Sequence, residues 1–192
     1  CIKAASYPDP AANRNVKNIL VEHCVLWNAE PGNAVEIGYE VRCDEISDIT
    51  FRDLDIVHCE YEGNQSGGVL TIHNADRAHI HDIVYEDIRV EDAQEKFVDI
   101  KVLDSKYSLD RKRGSVENIY FRNVEILNGN FPVSIIRGFE MHTEMSRPRN
   151  IYFDNVVVLG KQVESPSDLH MVVELSDDIL FNGTAHAKRN PF

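Results

Sequence analysis

The sequence predicts an all-β protein that forms one right-handed, single-stranded parallel β-helix of about five coils over residues 1–192. A short phrase occurs five times: an Asn or Asp, then Ile, one variable residue, and Val, Phe or Tyr. Its copies begin at Asn18, Asp48, Asp82, Asn118 and Asn150, so successive copies are 30, 34, 36 and 32 residues apart. A repeat of this length without helical periodicity between its copies is typical of a β-solenoid, and parallel crossovers are almost always right-handed.

Each repeat contains three predicted strands. The phrase alternates apolar and variable positions with period two, as a half-buried strand does, and a polar residue two positions after it indicates a bend into a second strand. These bend residues are His23, Asp53, Asp87, Asn123 and Asn155. A third short strand follows a variable loop, at residues 34–37, 69–72, 97–100, 133–135 and 171–174. A doubly wound α/β sheet would need helical stretches between its strands, and the sequence has none.

The repeat also predicts the interior and the corners of the coils. Two apolar columns are expected to point inward: Ile19, Ile49, Ile83, Ile119 and Ile151, and Val21, Phe51, Tyr85, Phe121 and Phe153. Equivalent residues of stacked coils lie about 4.8 Å apart. The recurrent Asn and Asp side chains are therefore expected to form hydrogen-bonded ladders at the bends, and we interpret them as structural residues, not catalytic carboxylates.

The composition excludes two classes of partner. Asp and Glu number 32 against 20 Lys and Arg, which gives a formal net charge of −12. This charge repels phosphate backbones and anionic lipids, so we expect neither a nucleic-acid partner nor a membrane partner. No apolar run approaches the roughly 18 residues that a membrane-spanning helix needs. The irregular spacing of Cys1, Cys24, Cys43 and Cys59 favours buried free thiols over a disulfide or a metal site.

The start of the chain carries a resemblance to a known group of enzymes. Cys1-Ile2-Lys3-Ala4 resembles the residues that follow the paired aspartates of the polygalacturonase and dextranase superfamily, glycoside hydrolase families 28 and 49, which have pectate-lyase-like solenoids. The stretches from Trp27 to Tyr39 and from Ile46 to Tyr61 resemble the coil after the catalytic one in dextranases and isopullulanases. The resemblance covers roughly the first 75 residues.

The resemblance implies an enzyme that hydrolyses a polysaccharide or oligosaccharide with inversion, by one carboxylic acid and one carboxylate. The acids expected for that role precede Cys1, so the catalytic residues would lie outside this chain. The chain would then be the C-terminal part of a secreted hydrolase, extracellular or periplasmic, and inactive by itself. No cofactor and no metal ion is implied.

Departures from family 28 point to the class of substrate. The Gly-His-Gly motif of that family would fall near Gly32-Asn33-Ala34, where the histidine is missing. Its Arg-Ile-Lys motif would fall near Thr71-Ile72-His73, where both cations that meet a uronate carboxylate are absent. Together with the net charge of −12, these changes favour a neutral glycan over polygalacturonate.

The resemblance places the substrate across the sheet built from the third strands. Outward residues on those strands and in the turns after them are therefore the predicted substrate-binding residues, and they are Lys3, Glu36, Tyr39, Glu40, His73, Asp99 and Lys101. Tyr39 is a candidate for stacking on a sugar face. The competing interpretation of the charged members is an ordinary solvated face.

Three other hypotheses stay open at this point. A non-catalytic β-helix that binds glycans or serves as a scaffold would need no aspartates before Cys1. A β-helix polysaccharide lyase would be expected to need Ca²⁺ and an Arg or Lys base. His79 and His81, on one side of a strand close to Asp76, could in principle bind a metal, but the sequence offers no firm third ligand. Oligomeric state is left open.

Overall fold

A computed structural model describes residues 1–5, 9–29, 32–60, 67–94, 96–130 and 133–185. Sixteen strands and two short 3-10 helices make up the secondary structure of these residues, and no α-helix occurs among them. The strands are β1 (Ile2–Ala4), β2 (Val16–Asn28), β3 (Val35–Val41), β4 (Glu45–Cys59), β5 (Leu70–Asn74), β6 (His79–Val90), β7 (Val98–Val102), β8 (Ser115–Ile126), β9 (Ser134–Arg137), β10 (Phe139–Met141), β11 (Glu144–Ser146), β12 (Arg149–Val158), β13 (Lys161–Gln162), β14 (Met171–Glu174), β15 (Asp177–Phe181) and β16 (Thr184–Ala185). The 3-10 helices are Pro10–Ala12 and Pro166–Leu169. Neither of these helices is long and apolar enough to span a membrane.

Two stacks of mainly parallel strands form the body of the molecule, and only β13 and β16 join their stack antiparallel among the described strands. Sheet A has the order β1-β3-β5-β7-β9-β14, and sheet B has the order β16-β15-β12-β8-β6-β4-β2 with β13 beside β12. Long strands of sheet B alternate along the chain with short strands of sheet A, so each coil contributes one strand to each sheet. The predicted parallel β-helix of about five coils is confirmed.

The first two predicted strands of each coil form one long, bent strand in sheet B. The bends lie at the two Asx-rich positions of the repeat, where the backbone is left-handed with φ between 51° and 58°. These residues are Asn18, His23, Asp48, Asp53, Asp82, Asp87, Asn118, Asn123, Asn150 and Asn155. Asn and Asp enter this region more readily than other residues with a side chain, which explains why the repeat keeps them there.

The predicted ladders run between these corners. Asn118 Nδ2 donates to Asp82 Oδ1 at 3.1 Å, and Asn150 Nδ2 donates to Asn118 Oδ1 at 3.1 Å. The second corner repeats the arrangement, with Asn123 donating to Asp87 at 3.0 Å and Asn155 to Asn123 at 2.9 Å. The Asx side chains therefore satisfy one another along the axis, as the interpretation of them as structural residues predicts.

Stacked aromatic rings fill the middle of the coils. Rings of consecutive coils lie with centroids 4.7 to 5.1 Å apart and planes within 8° of parallel. The column is Phe51, Tyr85, Phe121, Phe153 and Phe181, which confirms the predicted core and extends it by one coil. Ile19 and Val21 are only partly buried, because among the described residues β2 has a neighbouring strand on one side only.

Two details differ from the sequence prediction. The repeat predicts no strand between the third strand at residues 133–135 and the phrase that begins at Asn150, but the antiparallel hairpin β10–β11 lies in that segment. None of the four cysteines forms a disulfide, yet burial holds for Cys43 and Cys59 only, and Cys1 is exposed. Cys1 precedes β1, which ends sheet A among the described residues.

Replacing Phe121 tests the stacked core. The fully buried ring of Phe121 lies between Tyr85 and Phe153, so Phe121→Ala should lower the free energy of unfolding by about 3–5 kcal/mol. The adjacent Tyr120 points outward and stacks on Tyr152, and Tyr120→Ala should cost about 1 kcal/mol. Urea unfolding of both variants measures the difference, and equal losses would contradict the assignment of inward and outward positions.

Candidate functional site

The candidate site lies on the outer face of sheet A. In-register pairing aligns Glu36, Thr71 and Asp99 in one row across three coils. A second row aligns Gly38, His73, Lys101 and Arg137. Inward and outward positions alternate along a strand, so these residues point away from the apolar interior that Ile37, Ile72 and Ile100 fill.

His73 joins two carboxylates from neighbouring coils. Its Nδ1 lies 3.0 Å from Glu36 Oε1, and its Nε2 lies 3.2 Å from Asp99 Oδ2. The same Asp99 oxygen accepts a hydrogen bond from Lys101 Nζ at 2.9 Å and has Lys96 Nζ at 3.6 Å. We call these five residues, Glu36, His73, Lys96, Asp99 and Lys101, the His73 network.

The network is buried although it lies on the outer face of the sheet. The side chains of His73 and Asp99 have no exposed surface, and those of Glu36 and Lys101 are 12% exposed. Tyr39 covers part of it, with its ring centroid 4.4 Å from that of His73. The backbone of Gly68 passes so close that a Cβ atom there would lie 3.1 Å from the Cβ of Asp99.

A close backbone contact holds β3 against β5 at this point. Gly38 has φ of 134°, and a Cβ atom at this position would lie 2.3 Å from the carbonyl oxygen of His73. No side chain fits in that space, so a glycine is required where the two strands carry Glu36 and His73.

Burial and charge pairing act in opposite directions on the pKa values of His73 and Lys101. Burial disfavours the charged form of His73, but the neighbouring carboxylates of Asp99 and Glu36 outweigh it and raise the pKa of the imidazole above its ordinary value of 6.5. Burial lowers the pKa of Lys101, against the attraction of Asp99. Perturbed groups of this kind, gathered on one surface, are typical of functional sites, although structural ion pairs also produce them.

Two further ion pairs flank the network along the same face. Lys3 Nζ contacts Glu40 Oε2 at 2.8 Å at the β1 edge, and Arg137 Nε contacts Glu174 Oε2 at 2.6 Å on the opposite side. Cys1 Sγ lies 3.1 Å from the Gly38 carbonyl oxygen. On the outer face of sheet A, the bases Lys3, His73, Lys101 and Arg137 therefore each lie beside a carboxylate.

The structure thus sorts the seven predicted substrate-binding residues into two groups. Glu36, His73, Asp99 and Lys101 belong to the network with Tyr39 above it, whereas Lys3 and Glu40 pair with each other at its edge. The competing interpretation as a solvated face is wrong for His73 and Asp99, because both are fully buried. Their side chains have no surface for a ligand to contact, so Glu36 and Lys101 are the members of the network that reach the surface.

Sequence reasoning missed two residues of the site. Lys96 precedes β7 and turns its amine to Asp99, which no local pattern indicates. Tyr107 belongs to the loop between β7 and β8, and its ring centroid lies 5.9 Å from that of Tyr39. An aromatic residue is unusual in so polar a loop, and this feature of the sequence could have marked Tyr107 as a residue of the site.

The arrangement offers groups suited to binding hydroxyls. Glu36 is a partly exposed carboxylate that can accept hydrogen bonds, and Lys101 is a partly exposed amine that can donate them. Tyr39 and the 45%-exposed Tyr107 add aromatic faces beside them. Charged groups held rigidly by partners and flanked by aromatic rings form a surface that can orient a polar ligand.

His79 and His81 lie elsewhere, on the outer face of sheet B. Their ring centroids are 4.2 Å apart. Glu117 contacts Nε2 of His79, and Glu45 and Asp82 contact the two ring nitrogens of His81. Within the described part of the chain, no group of three or more His, Cys, Asp or Glu side chains is arranged to hold a metal ion.

No family model, no curated protein and no solved structure matches this chain. The likeness to families 28 and 49 therefore rests on the residues quoted for it, such as Cys1-Ile2-Lys3. The coil repeat and the buried network are properties of the chain itself and do not depend on that likeness.

The raised pKa of His73 predicts how stability depends on pH. A base whose pKa is higher in the folded state stabilises the fold fully below the unfolded pKa, about 6.5 for histidine, and this contribution is lost as the pH rises through the pKa of folded His73. Urea unfolding at several pH values should show this loss in the wild type and a flatter profile in His73→Gln.

The exposed His142 provides the control. Its backbone has φ of 56°, a conformation that asparagine adopts readily, so His142→Asn removes an imidazole outside the network without straining the chain. If His73→Gln showed the pH profile of the wild type, the conclusion that the network raises the pKa of His73 would be contradicted. A titration of the His73 ring by NMR gives the same answer directly.

Proposed function

We propose that this chain is the substrate-binding part of a secreted glycoside hydrolase that cleaves a neutral polysaccharide with inversion. The outer face of sheet A, from Lys3 to Arg137, would be the wall of the glycan cleft. The observation that carries the proposal is the His73 network, a buried row of charged groups on the same face as the strand with the resembling Cys1-Ile2-Lys3.

The position of β1 supports this reading. β1 pairs with β3, so the residues that resemble those after the paired aspartates form the edge of sheet A beside Glu36. Cys1 Sγ lies 3.5 Å from Glu36 Oε2. Aspartates directly before Cys1, which the resemblance expects, would thus act next to the network, with one as the general acid and the other activating water.

The charge pattern supports a neutral substrate. Lys3, Lys101 and Arg137 each have a carboxylate within 2.9 Å, and the imidazole of His73 lies between two carboxylates. A uronate would have to compete with these carboxylates for every cation, whereas sugar hydroxyls can bond to paired groups without displacing them. The net charge of −12 also disfavours an anionic substrate.

Removal of the Tyr39 ring tests the proposed cleft. Calorimetric titration of the chain with neutral gluco-oligosaccharides should show saturable binding that Tyr39→Ala weakens about tenfold, because a stacked aromatic contact is lost. Tyr120→Ala removes a comparable outward ring from sheet B and should leave binding unchanged. Tighter binding of oligogalacturonates, or equal affinity for wild type and Tyr39→Ala, would contradict the proposal.

The reaction itself needs a separate assay. A protein that contains this chain and the residues before Cys1 should release reducing sugars from a neutral polysaccharide, with inverted anomeric configuration of the first product by NMR. Glycan binding without hydrolysis would favour the non-catalytic binding module. Ultraviolet absorbance of an unsaturated product from a uronate polymer would show a lyase instead.

A further inference from the structure

Asp76 is a fully buried carboxylate in the turn after β5, outside the His73 network. Its side chain lies among backbone groups of two distant segments, with Arg42 Nε at 3.9 Å from Oδ2. A buried carboxylate has a high desolvation cost unless hydrogen bonds compensate it. The bonds that Asp76 makes therefore indicate what it does in the fold.

The two oxygens of Asp76 bond to different segments. Oδ1 accepts hydrogen bonds from the backbone N–H groups of Leu109 at 2.9 Å and Asp110 at 3.0 Å. Oδ2 accepts a hydrogen bond from the backbone N–H of Val41 at 3.2 Å. One carboxylate thus connects the end of β3 with the long loop between β7 and β8.

Each of these segments carries one tyrosine of the candidate cleft. Tyr39 lies two residues before Val41, and Tyr107 lies two residues before Leu109. The turn also holds β3 through the N–H of Ala75, which donates to the Tyr39 carbonyl oxygen at 3.3 Å. The two rings come from different coils, and their centroids are 5.9 Å apart.

We infer that Asp76 is a positioning residue that sets the Tyr39–Tyr107 ring pair by bonding to the backbone of both segments. The description of this pair as a wall for neutral glycans rests on the proposed function. The positioning itself does not, because it follows from the hydrogen bonds. Asparagine has a single acceptor oxygen, so Asp76→Asn can keep the bonds to the loop or the bond to Val41, but not both.

Photo-oxidative dityrosine formation measures the ring pair in the intact chain. Peptide mass spectrometry should find a Tyr39–Tyr107 crosslink in the wild type. Asp76→Asn breaks the connection between β3 and the loop whichever bond it loses, so it should lower the crosslink yield about fivefold, the ratio expected for one lost hydrogen bond. The Tyr120–Tyr152 pair, stacked at 4.9 Å on sheet B, is an internal reference whose yield should not change.

Asp104→Asn is the matched control, because it makes the same change of charge at an exposed position of the same loop. It should keep both crosslinks at the wild-type yield. An unchanged Tyr39–Tyr107 yield in Asp76→Asn, or no such crosslink in the wild type, overturns the inference.

Glycan titration separates this inference from the proposed function. If both hold, Asp76→Asn and Tyr107→Ala each weaken binding of neutral gluco-oligosaccharides about tenfold. If the crosslink is lost in Asp76→Asn while the wild type binds no glycan, the role of Asp76 stands and the proposed function fails.

A measurement on the wild type remains decisive should Asp76→Asn not fold. Amide hydrogen exchange should show that Val41, Leu109 and Asp110 are protected as sheet amides are, because their N–H groups donate to a buried carboxylate. Rapid exchange at Leu109 and Asp110 in the native protein would refute the attachment of the loop to Asp76.

Discussion

Register between the coils is the constraint on which the rest of the structure depends. Parallel strands place each residue directly beside its counterpart in the coils above and below, about 4.8 Å away. The aromatic column shows the consequence, since rings such as Phe121 and Phe153 stack with centroids 4.7 Å apart. Each side chain must therefore pack against the equivalent side chains of the coils above and below. This requirement explains why the repeat keeps the same residue types at the same positions.

The same constraint governs charge. Like charges in register would repel along the axis, and a row of sheet B avoids this by alternating sign. Glu22, Arg52 and Glu86 stand in one row of sheet B, where Arg52 contacts both carboxylates. On sheet A, His73, Lys101 and Arg137 stand in one row, and carboxylates beside them balance their charge. The His73 network forms part of this arrangement, with three potential cations and two carboxylates that have almost no access to water.

Burial gives this network its functional interest. A row of exposed ion pairs would contribute little to stability and could occur on the surface of any solenoid. Here the sheet, the ring of Tyr39 and the close approach at Gly38 fix the groups, so that Glu36 and Lys101 reach the surface with their orientations set by buried partners. The proposed glycan cleft uses that rigidity, and Asp76 extends it to the loop that carries Tyr107.

The sequence by itself determined the coil, because its causes are local and repeated. Asn and Asp at left-handed corners and the alternation around Ile and Phe occur five times, so the strands, the ladders and the core could be read directly. It also placed Glu36, His73, Asp99 and Lys101 on one face, since period two decides which way a strand residue points. Only the tertiary structure decided their burial, the contribution of Lys96, and the meeting of Tyr39 with Tyr107. These depend on where non-repeating loops of different lengths lie against the sheet, and a pattern that repeats by coil holds no information about segments that do not repeat.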